Sequence, residues 1–228
     1  MKIKIFYDGV DFKNENTIIQ GYTTNPSLLK QMNEGKTYKE LVLPFIHKIN
    51  NLPISLEVIS DQGNQMISEA RELSSWGENI YIKIPIIDTE GNYNTRTIQK
   101  LLDDKINVNI TCVFTQSQID TIYETITICD SSNVIISIFC GRIADTGISP
   151  TILSSYTTKL FQKNKNVYIL WASTREIYNI FEAEQCNCDI ITIPESIYQK
   201  LHLINKDLDE FSKETVQQFI NDAKSLSL

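Results

Sequence analysis

The chain has 228 residues, 42% hydrophobic and 21% charged, with a formal net charge of −7. This composition is that of an ordinary globular protein, which excludes disorder, and the length suits one barrel-sized domain spanning residues 1–228. The acidic balance disfavours non-specific nucleic-acid binding, leaves any anionic substrate to a few local cations, and comes with no apolar run long enough to span a bilayer.

The first candidate strand, Lys2–Tyr7, meets the carboxylate of Asp8 too soon to be the core of a signal peptide, so a cytoplasmic protein is expected. Gly21–Thr23 reads as a second strand, with Asn25 just beyond it, followed by a helical pattern over Tyr38–Ile49. Ile54–Ile59 is the third strand and contains Glu57. In Gln62–Ser75, Met66, Ala70 and Leu73 recur at helical spacing, with Glu69, Arg71 and Glu72 on the other faces. Asn79–Ile84 is a fourth strand containing Lys83, and Asn94–Lys105 is again helical. Val108–Val113 follows with Asn109 and Thr111, then a helical Ser117–Thr127. Val134–Phe139 carries Ser137 and precedes Arg142; Val167–Ala172 precedes Ser173 and Arg175; Asp189–Ile193 is the eighth strand. Lys206–Leu228 reads as one more amphipathic helix, with Leu208, Phe211, Val216, Phe219, Ile220 and Ala223 as its apolar positions.

Eight strands, most of them β-branched and apolar on both parities and each followed by a helical pattern, predict a (β/α)8 barrel with an additional C-terminal helix. A doubly wound open sheet competes. However, Asp8-Gly9-Val10-Asp11 after the first strand is not a dinucleotide fingerprint. Gly35-Lys36-Thr37 resembles a phosphate-loop ending, but position 30 is Lys and no strand leads into it. The five cysteines, at irregular spacing, are expected to be reduced thiols. Cys186 and Cys188, with only His47 and His202 elsewhere, lack any zinc-ligand spacing, so no metal is expected.

In a barrel, polar residues near the C-terminal ends of strands are the candidates for chemistry, and most strands here have one. Lys83 is the sharpest, because Tyr81-Ile82 and Ile84-Pro85 flank it with apolar bulk. Desolvation disfavours the ammonium form and frees the amine to attack a carbonyl. Alternatively the lysine snorkels to solvent or pairs with Glu57. Arg142 and Arg175, which follow consecutive late strands, either form a phosphate fork or are two solvated arginines.

Taken together, Thr23-Thr24-Asn25-Pro26-Ser27, Ile80 to Pro85, Val108-Asn109-Ile110-Thr111, Ser137 to Ile143 and Trp171 to Arg175 resemble, in order, the motif blocks of the transaldolase family. The short chain is similar to its small subfamily, which includes fructose-6-phosphate aldolases. The resemblance implies sugar-phosphate substrates, the pentose phosphate pathway, no cofactor and a homo-oligomer. It implies Lys83 as the imine-forming residue, Asp8 as acid/base on the C4 hydroxyl, and Glu57 and Thr111 as holders of a proton-shuttling water. Asn25, Asn109 and Ser137 would orient the sugar, and Arg142, Ser173 and Arg175 would hold its phosphate. Fructose-6-phosphate aldolases usually carry Gln where Glu57 stands and Tyr where Phe139 stands, so a transaldolase is expected in preference to an aldolase. Another class I aldolase, or an inactive sugar-phosphate binder, is the remaining alternative. Gly9, where the family has a small hydroxyl residue, and the loop from Ala144 to Pro150 depart from the pattern and leave substrate choice open.

Overall fold

A computed structural model describes residues 2–12, 18–126 and 132–226. Its strands are β1 (Lys4–Asp8), β2 (Ile19–Thr23), β3 (Ile54–Glu57), β4 (Ile80–Pro85), β5 (Val108–Val113), β6 (Val134–Ile138), β7 (Val167–Trp171) and β8 (Ile190–Ile193). They pair in parallel in chain order, and β8 closes back onto β1. The expected (β/α)8 barrel is therefore observed. Predicted boundaries shift by up to two residues at either end, where strand twist and caps rather than hydropathy set the limits.

The helices are α1 (Pro26–Met32), α2 (Tyr38–Ile46), α3 (Gly63–Ser74), α4 (Thr95–Asp103), α5 (Gln116–Ile126), α6 (Cys140–Asp145), α7 (Pro150–Phe161), α8 (Tyr178–Gln185), α9 (Glu195–Tyr198) and α10 (Leu208–Ala223). The connection after β1 is only partly described. Residues 9–18 join β1 to β2, and their described part is not helical, whereas two helices follow β2. Short loops start several helices by local chemistry. Thr37 and Glu40 form a reciprocal capping box at α2, and the Asp207 side chain accepts from the Glu210 N–H at α10. The predicted helix over 117–127 and the terminal one over 206–228 each run into residues outside the described set. No helix among the described residues is long and apolar enough to cross a membrane.

Two apolar cores flank the barrel wall. On the outer one, Ile54, Leu56, Ile82, Ile84, Val108, Ile110 and Ile136 meet Met66, Ala70, Ile98, Leu101, Ile119 and Ile122 from the surrounding helices. The inner one is small: Phe6, Ile135, Leu170, Ala172 and Ile190, backed by Tyr81, Phe139 and Tyr168. Successive strand residues face opposite ways, so each strand contributes one parity to each core. Gly21 belongs to the inner face. A Cβ there would lie 2.5 Å from the Phe6 ring, so glycine makes room for the phenyl that plugs the barrel.

The inner parity changes character along the strands. At its N-terminal end it offers Phe6, Tyr81, Ile135, Tyr168 and Ile190; at its C-terminal end it offers Asp8, Thr23, Glu57, Lys83, Thr111, Ser137 and Thr192. The register aligns these into a layer, with Glu57 opposite Lys83, Lys83 opposite Asn109, and Asp8 opposite Thr23. The wall is thus apolar outside, and the mouth is polar inside.

Candidate active site

A cavity of about 470 Å³ opens at the C-terminal mouth, lined by Asp8, Asn25, Glu57, Lys83, Thr111, Ser137, Phe139, Arg142, Ser173 and Arg175 among others. Ten of the eleven residues singled out from the sequence therefore share one cavity. The eleventh, Asn109, is fully buried beneath it. Its amide donates to the Ser55 hydroxyl at 3.0 Å and its carbonyl accepts from the Ser137 hydroxyl at 2.7 Å, so it supports Ser137 from below the cavity.

Lys83 is the centre of the site. Its side chain is 7% exposed, and Nζ lies 3.0 Å from the Glu57 carboxylate and donates at 2.7 Å to the Thr24 carbonyl. The pairing with Glu57 is thus present, and both groups face the cavity rather than the bulk solvent. Asp8 is fixed separately. The Thr23 hydroxyl donates to its carboxylate at 2.7 Å and lies 2.6 Å from the Thr192 hydroxyl, giving a relay of three side chains. Burial raises the Asp8 carboxyl above its ordinary value, although the Lys83 charge and the Thr23 hydrogen bond oppose the rise. A carboxyl so poised takes up a proton more readily than an exposed one.

The polar residues at the mouth largely satisfy one another. Thr111 is the exception: among the described residues its buried hydroxyl has no geometric hydrogen-bond partner. The ladder between β5 and β6 slips between Ile110 and Val113, and Cys112 adopts a left-handed φ of 57°. This bulge brings both Thr111 and Cys112 to the cavity, where a regular strand would turn one of them away. Burial and the nearby Glu57 carboxylate push the Cys112 thiol up.

The rim is cationic. Arg142 stacks on the Phe139 ring at 5.3 Å, and Phe139 in turn packs against Phe114. Arg175 forms an ion pair with Asp145 at 2.6 Å, both side chains being about half exposed, and no described carboxylate pairs with Arg142. Gly141, beside Arg142, packs closely against the loop that bears Arg175. A Cβ at Gly141 would stand 1.6 Å from the Ser173 carbonyl oxygen, so only glycine lets α6 start on the loop after β7. Ser173 itself has φ 62°. Left-handed backbone at non-glycine residues gathers at functional sites, and this cavity has two such residues.

Asn25 lines the cavity but also caps α1, its side chain accepting from the Leu28 N–H at 3.0 Å. Sequence reading missed Thr23, Thr24, Ser55, Cys112 and Thr192. Thr23, Ser55 and Thr192 were detectable as polar residues on the same strand parity as Asp8, Glu57 and Lys83; the Thr24 carbonyl and the bulge at Cys112 left no such mark. Of the cysteines, 112, 140, 186 and 188 are free thiols, while position 129 lies outside the described residues. Among the described residues no cluster of three or more His, Cys, Asp or Glu could hold a metal ion.

Comparison with known proteins identifies the family. The family model described as transaldolase/fructose-6-phosphate aldolase matches residues 5–228. A protein of Listeria monocytogenes named "Probable transaldolase 2" is 32% identical over 205 residues, covering 88% of each chain. One from Thermoplasma volcanium named "Probable transaldolase" is 30% identical over 239 residues, covering 99% of this chain and 97% of the relative. Another of that name from Herpetosiphon aurantiacus is 27% identical, covering 92% and 93%.

Proposed function

The chain belongs to the transaldolase/fructose-6-phosphate aldolase family, and from that premise we propose that it is a transaldolase working through an imine on Lys83. It moves a dihydroxyacetone unit from fructose 6-phosphate to erythrose 4-phosphate, giving glyceraldehyde 3-phosphate and sedoheptulose 7-phosphate in the pentose phosphate pathway. The observation that supports this best is the buried Lys83 ammonium, 3.0 Å from Glu57 in the same cavity as Asp8.

In this reading Glu57 takes a proton from Lys83, and the free amine adds to the ketose C2 carbonyl. Water leaves as the iminium forms, with the orphan Thr111 hydroxyl helping to hold that water. Asp8 then removes the C4 hydroxyl proton. The C3–C4 bond breaks, its electrons pass into the iminium to give an enamine, and the aldose phosphate departs. The acceptor aldehyde is attacked by the enamine carbon, Asp8 returns its proton to the new hydroxyl, and water hydrolyses the resulting iminium to release sedoheptulose 7-phosphate and the Lys83 amine. Asn25 and Ser137, with Asn109 behind it, orient the hydroxyls, while Arg142, Ser173 and Arg175 hold the phosphate. Phe139 presents a ring without a hydroxyl to the cavity, which favours holding the enamine over hydrolysing it. The chain assembles as a homo-oligomer in the cytoplasm, with the apolar stripe of α10 as a contact surface.

The test is turnover of fructose 6-phosphate with and without erythrose 4-phosphate. Steady glyceraldehyde 3-phosphate release without the acceptor would make the protein an aldolase. Borohydride reduction in the presence of fructose 6-phosphate should leave the three-carbon fragment on Lys83, and label on any other residue would refute the imine.

A further inference from the structure

The C-terminal end of β3 lacks a strand neighbour on its β2 side. In a parallel ladder, the N–H and C=O of alternate residues point to the same side. Ser55 uses its carbonyl toward β2, accepting from the Thr24 N–H at 3.0 Å, and Val58 donates to the Lys83 carbonyl on the β4 side. Glu57 shares the parity of Ser55, so its two backbone groups point to where β2 has already ended at Thr23. One side chain fills that gap. The Tyr38 hydroxyl accepts from the Glu57 N–H and donates to the Glu57 carbonyl, both at 3.1 Å. Burial raises the phenol well above its ordinary value and keeps it protonated, as this double role requires. Its ring packs edge-on against Trp76, and the Thr37 capping box fixes the turn of α2 that bears it.

We propose that Tyr38 is a positioning residue for the reaction. Its hydroxyl replaces the missing strand, locks the Glu57 backbone, and so holds the Glu57 carboxylate against Lys83. The other partner of the amine is the Thr24 carbonyl. The inference rests on the reading of Glu57 as the proton carrier for Lys83.

Tyr38→Phe removes the hydroxyl and keeps the ring against Trp76. Tyr156→Phe is the control: it removes a tyrosine hydroxyl bonded to Asp120, on helices remote from the mouth. At a temperature where both variants are folded by circular dichroism, Tyr38→Phe should lose about tenfold in kcat with KM little changed. Formation of the borohydride-trappable imine at Lys83 should slow in parallel, and Tyr156→Phe should keep wild-type kcat. Wild-type kcat and trapping rate in Tyr38→Phe would overturn the inference while leaving the imine reading intact, as would an equal loss in both variants. Turnover by the wild type without trapping at Lys83 would instead overturn the imine reading, and this inference with it.

Discussion

Three charged residues dominate at the scale of single side chains: the Lys83–Glu57 pair and Asp8. Lys83 and Glu57 are 7% and 14% exposed, so neither is well solvated without the other. Lys83→Met should abolish turnover and destabilise the fold by about 3 kcal/mol in urea unfolding, because it strands a buried carboxylate. Adding Glu57→Gln should recover most of that stability and none of the activity. Lack of recovery would mean that the pair is not what the lysine contributes to the fold. Asp8 works in the opposite sense. Burial raises its carboxyl above the ordinary 3.8, so the folded chain binds this proton more tightly than the unfolded chain. Its penalty is therefore absent below the ordinary value, grows as pH rises toward the folded value, and is complete above that. Asp8→Asn should accordingly unfold at a higher temperature than wild type at neutral pH, with the gain vanishing near pH 3.8. Its kcat should fall by about 100-fold or more. A less stable Asp8→Asn at neutral pH would show that hydrogen bonding, not desolvation, governs this carboxyl. Lys83 was legible as a polar intrusion in an apolar strand; the state of Asp8 was not, because burial is a property of the assembled mouth.

At the scale of elements, the site depends on places where regular structure is interrupted. The β5 bulge turns Cys112 toward the cavity beside Thr111, and Gly141 seats α6 on the loop after β7. Gly141→Ala would drive a methyl into the Ser173 carbonyl, so α6 must shift and take Arg142 with it. The expected result is a loss of about 1–3 kcal/mol in stability. KM for a phosphorylated substrate should rise more than kcat falls, as seen in steady-state kinetics. An unchanged KM would separate Gly141 from the phosphate contact. The strands themselves were readable because their outer parity is continuously apolar. The helices α1, α6 and α8 were harder to see, since short segments give a weak period and their starts are set by contacts with the barrel.

At the scale of the molecule, α10 stands apart. None of its residues is buried, and Leu208, Phe211, Val216, Phe219 and Ile220 are all exposed, Leu208 by 79%. A stripe of this kind on a stable helix is a surface made to be covered. Sedimentation should find a multiple of the chain mass, and the double substitution Val216→Glu/Phe219→Glu should shift it toward the single chain. A monomeric wild type would dismiss the oligomer. The sequence by itself determined the alternation of strands and helices, the closed eight-fold count and most of the polar residues at the mouth, because hydrophobic periodicity and strand-end position are local properties. Only the tertiary structure decided how those residues are wired: Lys83 between Glu57 and the Thr24 carbonyl, Asp8 held by Thr23, Asn109 withdrawn beneath Ser137, and Tyr38 closing the end of β3. Those contacts join residues from different strands and helices, so they exist only once the barrel closes and sets register, burial and the strand ends left without partners.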